Sequence, residues 1–97
     1  MRIGIIGGGF MGEAFMHGLI AGVVDPSDVT VAEVFDEKRA ALAQHGVLVT
    51  AEAREAVEGA DVVLMAVKPQ DFATAAAELK GAIDADAIVI SIAAGIA

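Results

Sequence analysis

The sequence predicts an α/β domain in which one parallel sheet of five strands, ordered 3-2-1-4-5, is wound by helices on both faces. Three observations predict it. Short apolar runs alternate with helical stretches along all 97 residues. A glycine pattern, Gly7-x-Gly9-x-x-Gly12, joins the first apolar run to the first helix. From Val62 to Val67 every residue is apolar, as a central strand buried on both faces requires.

Each element has its own signal. Residues 2–6 read as the first strand. The helix after the glycines carries Met11, Ala14, Phe15, Gly18, Leu19 and Gly22 as a stripe expected to face the sheet, with Ala14 and Gly18 small enough for close approach. Gly22 and Pro26 mark its end and the following turn. Strand two spans about residues 29–33, and Asp36 is the expected N-cap of a helix over 37–45 that Gly46 stops. Val47–Val49 reads as a short third strand, after which Thr50 caps a brief helix ending near Gly59. Residues 61–67 form the fourth strand. Phe72, Ala76, Leu79 and Ile83 recur as a core-facing helical stripe, and residues 87–92 form the fifth strand. The sequence gives no helix after that strand, so the sheet is expected to be truncated there, its cover supplied from elsewhere or by a longer parent protein.

Composition narrows the function. At 97 residues the chain reads as one domain, small for a complete enzyme. Its apolar fraction of 57% and mean hydropathy of +0.70 come largely from alanine and valine, which suit close-packed helices on a buried sheet. The longest apolar stretch, residues 87–97, contains Ser91 and Gly95 and falls short of the ~20 residues of a membrane span. Arg2 and the apolar run after it only faintly imitate a signal peptide, because glycines and Glu13 interrupt it, so a cytoplasmic, soluble protein is expected. A net charge of −8 disfavours nucleic acid and anionic membranes as partners. Zero cysteines exclude thiolate chemistry, and His17 and His45 lack metal-ligand spacing, so no metal is expected.

The glycine pattern points to an anion. Gly7 permits a tight turn off the strand, Gly9 leaves no Cβ where backbone must meet phosphate oxygens, and Gly12 lets the helix lie close to the sheet. The helix start then offers free N–H groups and the positive end of its dipole. Glu33 stands 21 positions beyond Gly12, at the tip of the second strand, where a ribose diol needs an acceptor. Together these define a Rossmann-type dinucleotide site. The plainer alternatives are a packing turn that holds no phosphate, the related turn of other nucleotide-binding α/β proteins and, for Glu33, a solvated strand-end acid. Lys68 invites a role as proton donor to substrate, but a lysine at a strand end before Pro69 more often orders the loop or reaches the cofactor ribose. Glu13 reads as a partner of the helix dipole, and Glu52, Glu55 and Glu58 as a solvated helix face.

Three segments, Ile3–Ala14 (IGIIGGGFMGEA), Ala66–Asp71 (AVKPQD) and Ser91–Ile96 (SIAAGI), together resemble pyrroline-5-carboxylate reductase. The resemblance spans essentially the whole chain but only the amino-terminal, cofactor-binding part of that family's fold. It implies hydride transfer from NAD(P)H to the C=N carbon of a cyclic imine carboxylate, 1-pyrroline-5-carboxylate, in proline synthesis. It matches Ile6, Gly7, Gly8, Gly9, Phe10 and Met11 to the pyrophosphate loop. Ala66, Val67, Lys68 and Pro69 match the segment lining the nicotinamide side, and Ala93, Ala94 and Gly95 the loop beside the nicotinamide. The family's substrate pocket is completed by a carboxy-terminal helical domain that also forms a homo-oligomer. That domain is absent here, so no catalytic residue is assigned and the chain alone is expected to be inactive.

Two departures matter. The family usually has Asn where Phe10 stands; Phe10 either packs over the adenosine or pyrophosphate region or covers the helix start. After strand two the chain reads Glu33-Val34-Phe35, with no small polar or basic group for a 2′-phosphate. A carboxylate there accepts from a 2′-hydroxyl and repels a 2′-phosphate, so NADH is the expected cofactor. A second reading is an NADP oxidoreductase of the coenzyme F420-dependent type, against which Val34, Phe35 and the lack of a basic cluster there weigh. A third is a non-catalytic dinucleotide-binding module.

Overall fold

Strands β1 (Ile3–Ile6), β2 (Val29–Ala32), β3 (Leu48–Thr50), β4 (Val62–Met65) and β5 (Ile88–Ser91) build one all-parallel sheet in the order β3-β2-β1-β4-β5. The computed structural model describes residues 1–7 and 10–91, with the side chains of Phe10, Met11 and Pro69 outside that description. Helices α1 (Phe10–Ile20), α2 (Asp36–Ala43), α3 (Ala53–Val57) and α4 (Pro69–Leu79) make the crossovers, and a 3-10 turn at Pro26–Asp28 leads into β2. The expected strand order and winding are both present.

Register sorts the core into two layers. Ile5 lies opposite Val31 on one side and Leu64 on the other, so these side chains share a face. Met16 of α1 and Leu42 of α2 cover that face. Ile6, Ala32, Val63 and Met65 point the other way, under Ala56 and Val57 of α3 and Leu79 of α4. The sheet is therefore wound in both directions from β1, with the helix pairs on opposite faces.

Helix α1 presents a different stripe from the one its sequence predicts. Met16 is fully buried, whereas Ala14, Phe15 and Gly18 are exposed. With Leu19 these three line an open apolar groove of about 450 Å³ on the outside of the helix. The cause is Gly12. A Cβ there would collide with the Gly7 carbonyl oxygen, so Gly12 is the point of closest approach. With Gly12 inward, a step of four residues brings Met16 inward as well. Because this helix is apolar nearly all round, hydrophobic periodicity alone could not fix its rotation.

Smaller differences also have local causes. Helix α2 begins at Asp36 itself, with Phe35 in the cap position. Asp36 pairs with Arg39 within the first turn, and the Phe35 N–H is taken by Glu33 Oε2 at 3.1 Å. Thr50 ends β3 and not the following loop, yet its hydroxyl still orders the start of α3. It accepts from the Glu52 N–H at 3.1 Å and donates to Glu55 Oε1 at 2.6 Å. Glu52, Glu55 and Glu58 are exposed, as a solvated face. In α4 Phe72 and Leu79 pack on the second layer as expected, Ala75 and not Ala76 lies between them on it, and Ile83 packs on the same layer from beyond the helix end. All four residues of β5 are exposed; the expected sixth, Ile92, lies outside the described residues.

Candidate functional site

The carboxyl ends of β1, β2 and β4 converge on Gly7. Its N–H donates to the Ala32 carbonyl at 3.2 Å, while the Ala66 N–H donates to the Ile6 carbonyl at 2.9 Å. Gly7 has φ +88°, a backbone conformation suited to glycine, and an added Cβ would stand 2.5 Å from the Ala66 carbonyl oxygen. Two requirements therefore select glycine at the turn, and the helix behind it selects glycine at position 12. Helix α1 starts at Phe10, so its free N–H groups and dipole face the end of β1.

A pocket of about 210 Å³ opens beside this turn. Ile6 and Gly7 form one wall, Ala32, Glu33 and Val34 another, and Ala51, Ala53 and Val67 complete it. The walls are small and apolar, with one carboxylate-bearing residue among them. Glu33 is only 7% exposed, which rules out the solvated strand-end acid. Its N–H donates to the Thr50 carbonyl at 2.9 Å, tying it to the end of β3. Val34 and Phe35 beyond it are exposed.

Of the residues singled out in sequence, the structure brings Ile6, Gly7, Glu33 and Val67 to this one pocket, with Ala66 packed under the turn. Lys68 is exposed at the cap position of α4, whose first residue is Pro69. Gly8, Gly9, Ala93, Ala94 and Gly95 lie outside the described residues, as do the side chains of Phe10, Met11 and Pro69. Ala51 and Ala53 also line the pocket but carry no chemical signature in the sequence, and Arg39 reaches Glu33 without one. The stretch directly after Glu33 does lack basic residues, but α2 folds two back toward it. Arg39 Nη1 donates to the Glu33 carbonyl at 2.8 Å, and Lys38 Nζ sits 5.9 Å above the Phe35 ring.

The histidines, isolated in sequence, meet in space. The rings of His17 and His45 contact edge to face at 4.5 Å between centroids, and His17 Nε2 lies 3.5 Å from Glu13 Oε1. Among the described residues no group of three or more His, Cys, Asp or Glu side chains is placed to hold a metal, and no helix is long and apolar enough to cross a membrane.

A doubly wound parallel sheet, a glycine turn feeding a helix N-terminus and a buried acid at the tip of β2 define the NAD(P)-binding class of oxidoreductase domains. The chain belongs to the family described as NADP oxidoreductase, coenzyme F420-dependent, whose profile matches residues 2–95. It is also similar to pyrroline-5-carboxylate reductase of Methanosarcina acetivorans, 38% identical over 98% of this chain and 36% of the relative. The solved structure of a pyrroline-5-carboxylate reductase from Coxiella burnetii superposes with a TM-score of 0.88 at 35% identity, covering 99% of this chain and 36% of that one. A pyrroline carboxylate reductase from Plasmodium falciparum, solved with NADP bound, shares the fold at a TM-score of 0.75 and 20% identity, over 95% of this chain and 33% of that one. The chain thus spans about a third of the length of the reductases it matches.

Proposed function

We propose that this chain is the cofactor-binding domain of a pyrroline-5-carboxylate reductase and that it prefers NADH. The reading is carried by the buried Glu33 and Gly7 lining one pocket. A bound dinucleotide fits this arrangement: glycines 7 and 12 keep the approach clear of side chains, the start of α1 attracts the pyrophosphate, and Glu33 accepts from the adenosine ribose diol. The small apolar walls suit the flat face of an adenine. Ile6, Gly7, Gly8, Gly9, Phe10 and Met11 form the pyrophosphate loop in this reading. Ala66, Val67, Lys68 and Pro69, with Ala93, Ala94 and Gly95, border the nicotinamide.

When bound, the reduced nicotinamide supplies the hydride. The chain's own residues bind and orient it, because hydride transfer requires a fixed near-attack geometry. The rest of the protein, in the same proposal, provides a helical domain that completes the substrate pocket for the cyclic imine carboxylate and joins subunits into a homo-oligomer. The protein works in the cytoplasm, without nucleic-acid or membrane partners. Similarity of essentially the whole chain to reductases of that name supports the substrate assignment.

The family description favours a second reading, in which the hydride passes between NADP and coenzyme F420. One assay separates the two. The protein that carries this domain is mixed with NADH or NADPH and either 1-pyrroline-5-carboxylate or coenzyme F420, and nicotinamide absorbance is followed. Loss of absorbance with the imine, fastest with NADH, is expected. Turnover with coenzyme F420 alone would overturn the substrate reading, and so would imine reduction by the 97-residue chain overturn the need for a second domain.

A further inference from the structure

Arg39 closes the turn between β2 and α2 onto the backbone of Glu33. Its Nη1 donates to the Glu33 carbonyl at 2.8 Å and its Nη2 pairs with Asp36. Its own N–H donates to the Phe35 carbonyl at 3.0 Å, so the guanidinium hangs from a residue already fixed in the first turn of α2. The side chain is largely covered, at 22% exposure, while its Asp36 partner is 90% exposed. Glu33 is held at every backbone polar atom: its N–H by Thr50 and its carbonyl by Arg39. One carboxylate oxygen, Oε2, accepts from Phe35 N–H, leaving Oε1 for a ligand.

We infer that Arg39 is a positioning residue for cofactor choice: by clamping the Glu33 carbonyl it fixes the carboxylate as a ribose acceptor and keeps it where a 2′-phosphate would be repelled. The inference rests on the reading of Glu33 given above. An arginine near a ribose site otherwise signals a 2′-phosphate partner. Here the fork is already engaged by a carbonyl and a carboxylate of its own turn, so its positive charge serves the turn. A freed carboxylate rotates away and costs the ribose an acceptor that needs no reordering on binding.

The test is a titration of the chain and four variants, Arg39→Ala, Arg39→Lys, Glu33→Gln and the double variant Arg39→Ala/Glu33→Gln, with NADH and with NADPH. Urea midpoints establish that each is folded. Glu33→Gln tests the underlying reading: its NADH affinity falls and its NADPH affinity does not. Arg39→Ala is expected to weaken NADH about tenfold and to leave NADPH no weaker, and tighter where the freed carboxylate moves off the 2′-phosphate. Arg39→Lys, with a donor but no fork, recovers part of the loss, and in the Glu33→Gln background removal of Arg39 has no further effect on NADH. Equal weakening of both cofactors by Arg39→Ala would reduce Arg39 to a structural role. Weakening of NADPH alone would make it a phosphate ligand. Either result overturns the inference while the Glu33→Gln result stands, whereas an unchanged NADH affinity in Glu33→Gln sinks both.

Discussion

Two glycines in one helix isolate the packing argument from everything else that glycine does. Gly12 and Gly18 both lie within α1, so replacing either with alanine gains helix propensity of up to about 1 kcal/mol. They differ in what a Cβ would meet. At Gly18 there is nothing within 4 Å. At Gly12 the Cβ would land on the Gly7 carbonyl oxygen, part of a backbone turn held by its own hydrogen bond to Ala32. Relieving that clash means moving the helix off the sheet or straining the turn, a cost of about 3 kcal/mol at the upper end for overpacking. The propensity gain largely cancels between the two variants. Gly12→Ala is therefore less stable than Gly18→Ala by about 3 kcal/mol, a gap of roughly 2 M in urea midpoint at a slope near 1.5 kcal/mol/M. Gly18→Ala itself is as stable as the parent or more so. Equilibrium urea unfolding followed by circular dichroism measures both. If Gly12→Ala matched Gly18→Ala, the close approach of α1 to the end of β1 would not be what selects glycine at position 12.

The rotation of α1 makes its own prediction: Met16→Ala, at a fully buried position, costs about 2–5 kcal/mol, whereas Phe15→Ala on the exposed groove costs under about 1 kcal/mol, read from the same unfolding curves. The reverse order would restore the stripe expected from sequence. Asp25 gives a pH dependence. The backbone N–H of Ser27, then its hydroxyl, both donate to the Asp25 carboxylate and hold its pKa below the ordinary value. The unfolded chain therefore binds the proton more readily, so this contribution is complete above the ordinary carboxylate range and fades as pH falls through the lowered folded value. Thermal midpoints of the parent and Ser27→Ala, compared from pH 7 down to about 2, should converge at the acid end. A gap that stays constant with pH would remove the carboxylate from the explanation.

The sheet was legible in the sequence because each strand carries a strong local signal and right-handed crossovers leave few ways to order five of them. The glycine turn was legible because Gly7 and Gly12 each answer a steric demand that no other residue meets. What escaped depends on tertiary placement. The rotation of α1 is set by the carbonyl of Gly7, not by which of its many apolar residues form the neatest stripe. The burial of Glu33 comes from β3 and from the turn that folds over it. Arg39 stands six positions from Glu33, a spacing that reads as unrelated until α2 starts at Asp36 and brings its first turn back over the strand end. His17 and His45 meet because α1 and α2 lie on the same face of the sheet.

In the proposed function a dinucleotide binds at the end of β1 with its ribose diol on Glu33. The most direct measurement is the dissociation constant of the 97-residue chain for NADH and for NADPH under identical conditions. The extra phosphate beside a buried carboxylate is disfavoured by about 1.4–2.8 kcal/mol, so NADH binds roughly ten- to a hundredfold more tightly. Equal or tighter binding of NADPH would contradict the role of Glu33, and binding of neither would contradict the site itself.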